Sequence, residues 1–231
     1  MPIRETDFIE GEYYHLYNRG NSKQKIFLDD KDKNRFLKLL YLCNSKNNIN
    51  FREDIVKKRI DAWDFKKGKS IVDIGAWVLM PNHFHLYITP KPNAWRLAGN
   101  SVTYFMHRVL TAYSKYFNAR YKRTGSLFEG KFKSIHVNKD TQAKYLFSYI
   151  HLNPLKLVDS NWNKNRSKAS ILKFIIFLDS YKWSSYLDYM EIIRSENKIL
   201  DRIDFIDYFE TKKSFQKEIF EWIKIKIEEE N

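Results

Sequence analysis

Between residues 71 and 90, two apolar runs are separated only by Pro81 and Asn82. The first run, residues 71–80, alternates loosely and reads as a strand. The second, Leu86 to Thr89 after His83-Phe-His85, also has strand propensity. Pro-Asn is turn chemistry, so the two runs predict an antiparallel hairpin, ended by Pro90-Lys-Pro92. Side chains alternate along a strand, so His83 and His85 point to one face and Phe84 to the other. Two imidazoles on one face make half of a metal site. For such a pair taken alone, two half-buried histidines satisfied by hydrogen bonds is the commoner reading. The partners offered by the rest of the chain decide between these readings.

Those partners sit in an alternating order of elements. Tyr-Tyr-His-Leu-Tyr at 13–17 reads as a first strand, with a turn at 18–21. The acidic residues Asp29, Asp30 and Asp32 precede an apolar helical pattern over 35–42 and complement a helix N-terminus. Residues 44–70 are polar and basic, with Trp63 and Phe65 as anchors, and read as a partly helical insertion. Apolar residues recur at helical spacing over 95–121, and a strand is expected over 127–137. A helix capped by Asn138 or Asp140 then runs to Asn153, because the residue before Pro154 avoids the helical region. This order predicts an α+β fold, a largely antiparallel sheet with helices packed on it. Beyond a polar break at 159–168 come a second apolar block at 171–178 and an amphipathic tail from about 200. The expected organisation is one domain over 11–158, with 44–70 inserted, and a mainly helical extension over 159–231.

The net charge of +13, from 41 Lys and Arg against 28 Asp and Glu, calls for an anionic partner, most simply nucleic acid. Aromatic residues make up 16% of the chain, and unpaired bases stack on such rings. Arg108, Lys115, Arg120, Lys122, Arg123, Lys131 and Lys133 form a basic stretch for phosphate contacts; its alternative is a solvated helix face. No signal-peptide-like start or membrane-length apolar run is seen, and a lone Cys43 suits a reducing cytoplasm.

Tyr145, Tyr149 and Asn153 share one face of the helix before Pro154, at i, i+4 and i+8. A tyrosine beside a divalent ion held by His83 and His85 could attack a phosphodiester, since the ion stabilises the charge that develops. Two imidazoles and an amide oxygen are neutral ligands that suit Mn²⁺ at least as well as Mg²⁺.

Four segments fall in one order: Pro-Asn-His-Phe-His-Leu at 81–86, Gly-Ser-Leu-Phe-Glu-Gly-Lys-Phe-Lys-Ser at 125–134, Tyr-Ile-His-Leu-Asn-Pro at 149–154 and Trp-Ser-Ser-Tyr at 183–186. With Tyr-His-Leu-Tyr-Asn-Arg-Gly at 14–20, the set resembles the single-tyrosine HUH transposases. It is most similar to the REP-associated tyrosine transposases. The resemblance spans about residues 11–190. It implies a ferredoxin-like, RRM-like sheet, Tyr149 as nucleophile, and His83, His85 and Asn153 as ligands of Mg²⁺ or Mn²⁺. Asn153 stands where the superfamily commonly has a Gln. The implied substrate is single-stranded or hairpin DNA, cut with a 5′-phosphotyrosine link, by a homodimer or a monomer in the cytoplasm. Arg19 joins the basic set as a DNA contact.

Other readings stay open on sequence alone. Tyr145 is the rival nucleophile. His15 can approach the site from the first strand, although packing is the favoured reading. Glu129 is read as a salt bridge to a neighbouring lysine, and His151 as a surface or packing residue. A non-catalytic hairpin-DNA or RNA binder would use the same basic surface without the histidines, and a metal-dependent hydrolase would use water as its nucleophile.

Overall fold

A computed structural model describes residues 8–92, 101–164, 167–202, 205 and 211–224. Strand β1 (Tyr13–Arg19) leads to helix α1 (Asp30–Cys43), then β2 (Val72–Met80), β3 (His83–Pro90), α2 (Ser101–Arg120), β4 (Lys133–Val137) and α3 (Asp140–Leu152). The four strands form one antiparallel sheet in the order β2-β3-β1-β4. A βαββαβ chain in that strand order is the ferredoxin-like fold, within the expected α+β class. Helices α4 (Lys168–Ser180), α5 (Tyr186–Tyr189) and α6 (Lys212–Lys224) follow.

Period-two alternation gives each sheet face its own core. Tyr14, Leu16, Trp77, Leu79, Phe84, Leu86 and Ile88 pack against α1 and α2. Ala76, Val78, Met80 and Tyr87 pack on the other face, with apolar residues of α3, α4 and α6. Helix α1 starts where the sequence pattern puts it, with the Asp29 carboxylate accepting from the Asp32 amide.

β2 is an edge strand, yet all nine of its residues are buried. The Trp-Ser-Ser-Tyr segment explains this. Leu79 N donates to Trp183 O and Ser185 N to Trp77 O, each at 2.9 Å, while the Tyr189 hydroxyl donates to Gly75 O at 2.7 Å. The extension thus covers an edge that would otherwise pair with another chain. The ring of Phe205 lies so close to Gly75 that a Cβ there would sit 2.7 Å from it.

Several boundaries differ from expectation. Of 127–137, only Lys133–Val137 is strand. Leu127 and Phe128 instead anchor a loop in the core through a single bridge between Gly20 and Phe128, and Gly130 turns the chain with a φ of 67°. Neither Asn138 nor Asp140 caps α3; the N-cap is Lys139, which makes no side-chain bond, and Asp140 supplies negative charge to the first turn. The insertion holds a π-helical turn, Phe51–Val56, and a 3-10 turn, Ala62–Asp64, with Trp63 buried as its anchor. The start of the helix expected over 95–121, and the tail at 203–204, 206–210 and 225–231, lie outside the described residues. Among the described residues, no helix is long and apolar enough to cross a membrane.

Candidate active site

The sheet face under α3 carries the polar residues. In the antiparallel register, Arg19 faces His83, Tyr17 faces His85, and Lys133 faces Tyr17 from β4. His15 lies diagonal to His85 on the same face, within reach of it. The two rings stack with centroids 5.0 Å apart, and His15 Nε2 lies 2.8 Å from His85 Nδ1.

The Asn82 amide is oriented by its own NH₂, which donates to Lys23 O at 3.2 Å. Its carbonyl oxygen therefore faces His83 Nδ1, 2.7 Å away, and can only accept. His83 Nδ1 thus carries the proton, and its Nε2 keeps a lone pair. Burial lowers the His83 pKa to about 4, assisted by the Lys156 cation and opposed by the Asn153 amide. Burial likewise lowers His15 to about 4 and His85 well below its ordinary range. All three imidazoles are neutral at pH 7.

α3 presents Tyr145 and Tyr149 to this floor, and Asn153 follows as its C-cap. The Tyr149 ring stands edge-on to His85 at 5.4 Å and to His15 at 6.3 Å. The Tyr145 ring is stacked 6.2 Å from Tyr149 and is exposed. A cavity of about 420 Å³ opens here, lined by His15, Tyr17, His85, Gln142, Tyr145 and Tyr149. Asn153 is only 1% exposed, and its amide, although near enough to His83 to raise that ring's pKa, has no hydrogen-bond partner of normal geometry at either atom. His85 Nε2 is buried and unpartnered as well. Buried polar atoms are nearly always satisfied, so three orphans in one place need a reason.

A divalent ion would supply one. Two neutral imidazole nitrogens and an amide oxygen fit Mn²⁺ or Mg²⁺ and would leave its charge for an anionic substrate. Among the described residues, no group of three His, Cys, Asp or Glu could hold an ion, so an ion at this site would need the amide as its third protein donor.

The basic stretch is distributed differently from expectation. α2 lies on the opposite face of the sheet from Tyr149, so the stretch does not run beside the site. The Arg108 guanidinium donates to the carbonyls of Cys43, Ser45 and Asn47, closing the end of α1. Arg120 is bound to Asp29 and to the buried Asp32. Arg123 lies over the Phe117 ring at 5.5 Å, with one terminal nitrogen buried. Lys115, Lys122 and Lys131 are exposed. Arg19 and Lys133 share the histidines' face, and Arg19 is paired with Glu129. The partner of Glu129 is thus an arginine from β1 in place of the expected lysine.

His151 is a packing residue, fully buried, with Nδ1 donating to Phe147 O and Nε2 bonded to Ser185 Oγ, both at 2.8 Å. Burial lowers its pKa to about 3. A histidine held neutral in the folded state stabilises the fold above its unfolded pKa, about 6.5, and loses that contribution as pH falls toward its folded value. His15, His83 and His151 act in the same direction. Thermal unfolding across a pH series should therefore show the melting temperature falling steadily from about pH 6.5 toward pH 4.

One neighbour of the site, Lys156, was not read from the sequence, and another, His15, was read only as able to approach from the first strand. Lys156 holds its ammonium 5.1 Å from the Tyr149 ring, and its i+7 spacing from Tyr149 could have revealed it. His15 needed the strand register.

The family model described as transposase, IS200 like, matches residues 9–153. The chain is also similar to a solved structure of a REP-associated tyrosine transposase bound to a REP hairpin. The identity is 12% and the TM-score 0.49, over 85% of this chain and 90% of that one. No curated protein matches.

Proposed function

The chain belongs to the IS200-like transposase family, and from that premise we propose that it is a metal-dependent single-strand DNA endonuclease and strand-transferase acting at hairpin or REP-like DNA. Tyr149 is the nucleophile. Its phenolic oxygen bonds to the scissile phosphorus as the bond from phosphorus to the 3′ oxygen breaks. The phenol gives up its proton and the departing 3′ oxygen gains one. The products are a 5′-phosphotyrosine and a free 3′ hydroxyl. The link conserves the phosphodiester, so a 3′ hydroxyl can reverse the step without ATP.

The observation that carries this reading is the convergence of an edge-on Tyr149 with buried, unpartnered atoms of His85 and Asn153. His83, His85 and Asn153 would hold a Mg²⁺ or Mn²⁺ ion, which would polarise a phosphate oxygen and offset charge in the transition state. Lys156 adds a cation beside the nucleophile. Arg19 and Lys133 flank the floor as phosphate contacts.

His15 is a positioning residue in this scheme. Were His85 to hold the ion through Nε2, its proton would sit on Nδ1 and be donated to His15 Nε2, 2.8 Å away. Such partners fix ring orientation and tautomer, and their loss costs about 10–100-fold in ion affinity. His15→Phe should weaken Mn²⁺ binding by that factor in calorimetry or electron paramagnetic resonance. Unchanged affinity would reduce His15 to packing.

The activity is tested with end-labelled single strands copied from palindromes beside the gene. With Mg²⁺ or Mn²⁺, a protein–DNA adduct that survives denaturation is expected, and chelation should remove it. Tight binding with no adduct under any ion would overturn the proposal.

A further inference from the structure

A second cavity, of about 280 Å³, shares Tyr145 and Tyr149 with the first and is completed by Asn153, Lys156, Asn161 and Trp222. We infer that it receives one nucleobase of single-stranded DNA next to the scissile phosphate; for that phosphate, the inference rests on the nuclease activity proposed above.

Size and lining both point to a base. The volume falls just below the usual range for ligand pockets, about 300–1,000 Å³, which suits one flat ring system. The walls are aromatic: Trp222 stands edge-on to Tyr145 at 5.5 Å, and Tyr145 is stacked beside Tyr149. Bases stack on such rings whatever their sequence. Lys156 stands at the same wall, where a backbone phosphate would pass, and Asn161 brings an amide that can bond a base edge. A packing defect would be apolar and dry, whereas this space is bordered by the buried, unpartnered Asn153 amide.

The wall is also pre-formed, which lowers the cost of binding. Trp222 Nε1 donates to Glu218 at 2.8 Å, and Glu218 pairs with Lys144 of α3 at 3.2 Å. Phe215 holds α6 to α3 through ring contacts with Phe147 and His151 at 6.0 and 5.3 Å. The family match ends at Asn153, so Lys156, Asn161 and Trp222 lie beyond it. The C-terminal helices would thus add a base-holding wall to the family's domain.

The test uses a pool of random-sequence single strands, each carrying one 5-iodouracil, bound to the full chain and irradiated. Crosslinks are expected on Trp222 or Tyr145, located by mass spectrometry of the digested protein. Removing one stacking ring should weaken binding of the same pool by about tenfold. Trp222→Ala should do this and Trp222→Phe should largely restore it. Tyr145→Ala, a change at an exposed residue, gives the same readout if Trp222→Ala fails to fold. Crosslinks found only elsewhere, or affinities unmoved by both alanine variants, would overturn the inference. Adduct formation without these crosslinks would leave the nuclease standing and remove the base pocket. Crosslinks here without any adduct would keep a base-binding cavity and remove the nuclease.

Discussion

Tyr149→Phe is expected to abolish the covalent protein–DNA adduct completely, because the variant lacks the phenolic oxygen that bonds to phosphorus in the proposed reaction. The ring itself stays, and with it the edge contacts to His85 and His15. Among the described residues, no hydrogen bond is made to the Tyr149 hydroxyl, so its removal should leave melting temperature and DNA affinity close to those of the parent. Tyr145→Phe should retain the adduct, since the Tyr145 ring is stacked outside Tyr149, exposed, and touches Trp222. An adduct that survives in Tyr149→Phe and disappears in Tyr145→Phe would exchange their roles. Denaturing gels of labelled DNA read both outcomes.

His85→Ala should reduce cleavage by about 10²–10³-fold or more, the scale seen when a single transition-state-stabilising group is removed. Its Nε2 is the buried nitrogen with no partner, and its Nδ1 is the one that His15 engages. DNA binding should persist, because Arg19 and Lys133 are untouched. Ion titration followed by calorimetry should show the corresponding loss of Mn²⁺ affinity. A non-catalytic hairpin binder would behave otherwise: neither chelation nor His85→Ala would alter its measured function.

The strand pair that carries the histidines was legible because each cue was local. Pro81-Asn82 marks a turn, and alternation puts His83 and His85 on the face away from Phe84, which packs with α1 and α2. The α3 face was legible for the same reason, since Tyr145, Tyr149 and Asn153 need only helical spacing. β4 was overextended because Phe128 and Phe132 have strand propensity, whereas a positive φ at Gly130 and core anchoring by Leu127 turn that segment into a loop. Arg108 and Arg120 looked like a DNA-binding row because their partners are distant in sequence. The carbonyls at the end of α1 and the carboxylates of Asp29 and Asp32 claim them only after α1 and α2 pack together. The pairing of His15 with His85 is likewise a property of sheet register, and the Trp222 wall exists only once α6 docks on α3. Local pattern thus revealed what each element carries, and tertiary packing decided which charges were already spoken for.

The most direct test identifies the atom that bonds to DNA. Wild-type protein is allowed to form the adduct with Mn²⁺, the DNA is trimmed with nuclease, and the protein is digested with trypsin. Cleavage after Lys144 and Lys156 gives a peptide of residues 145–156 that contains both tyrosines, so it must be fragmented to separate them. A nucleotide 5′-phosphate on Tyr149 is the expected result. The modification on Tyr145, on another residue, or on none would contradict the assignment of Tyr149 as the nucleophile.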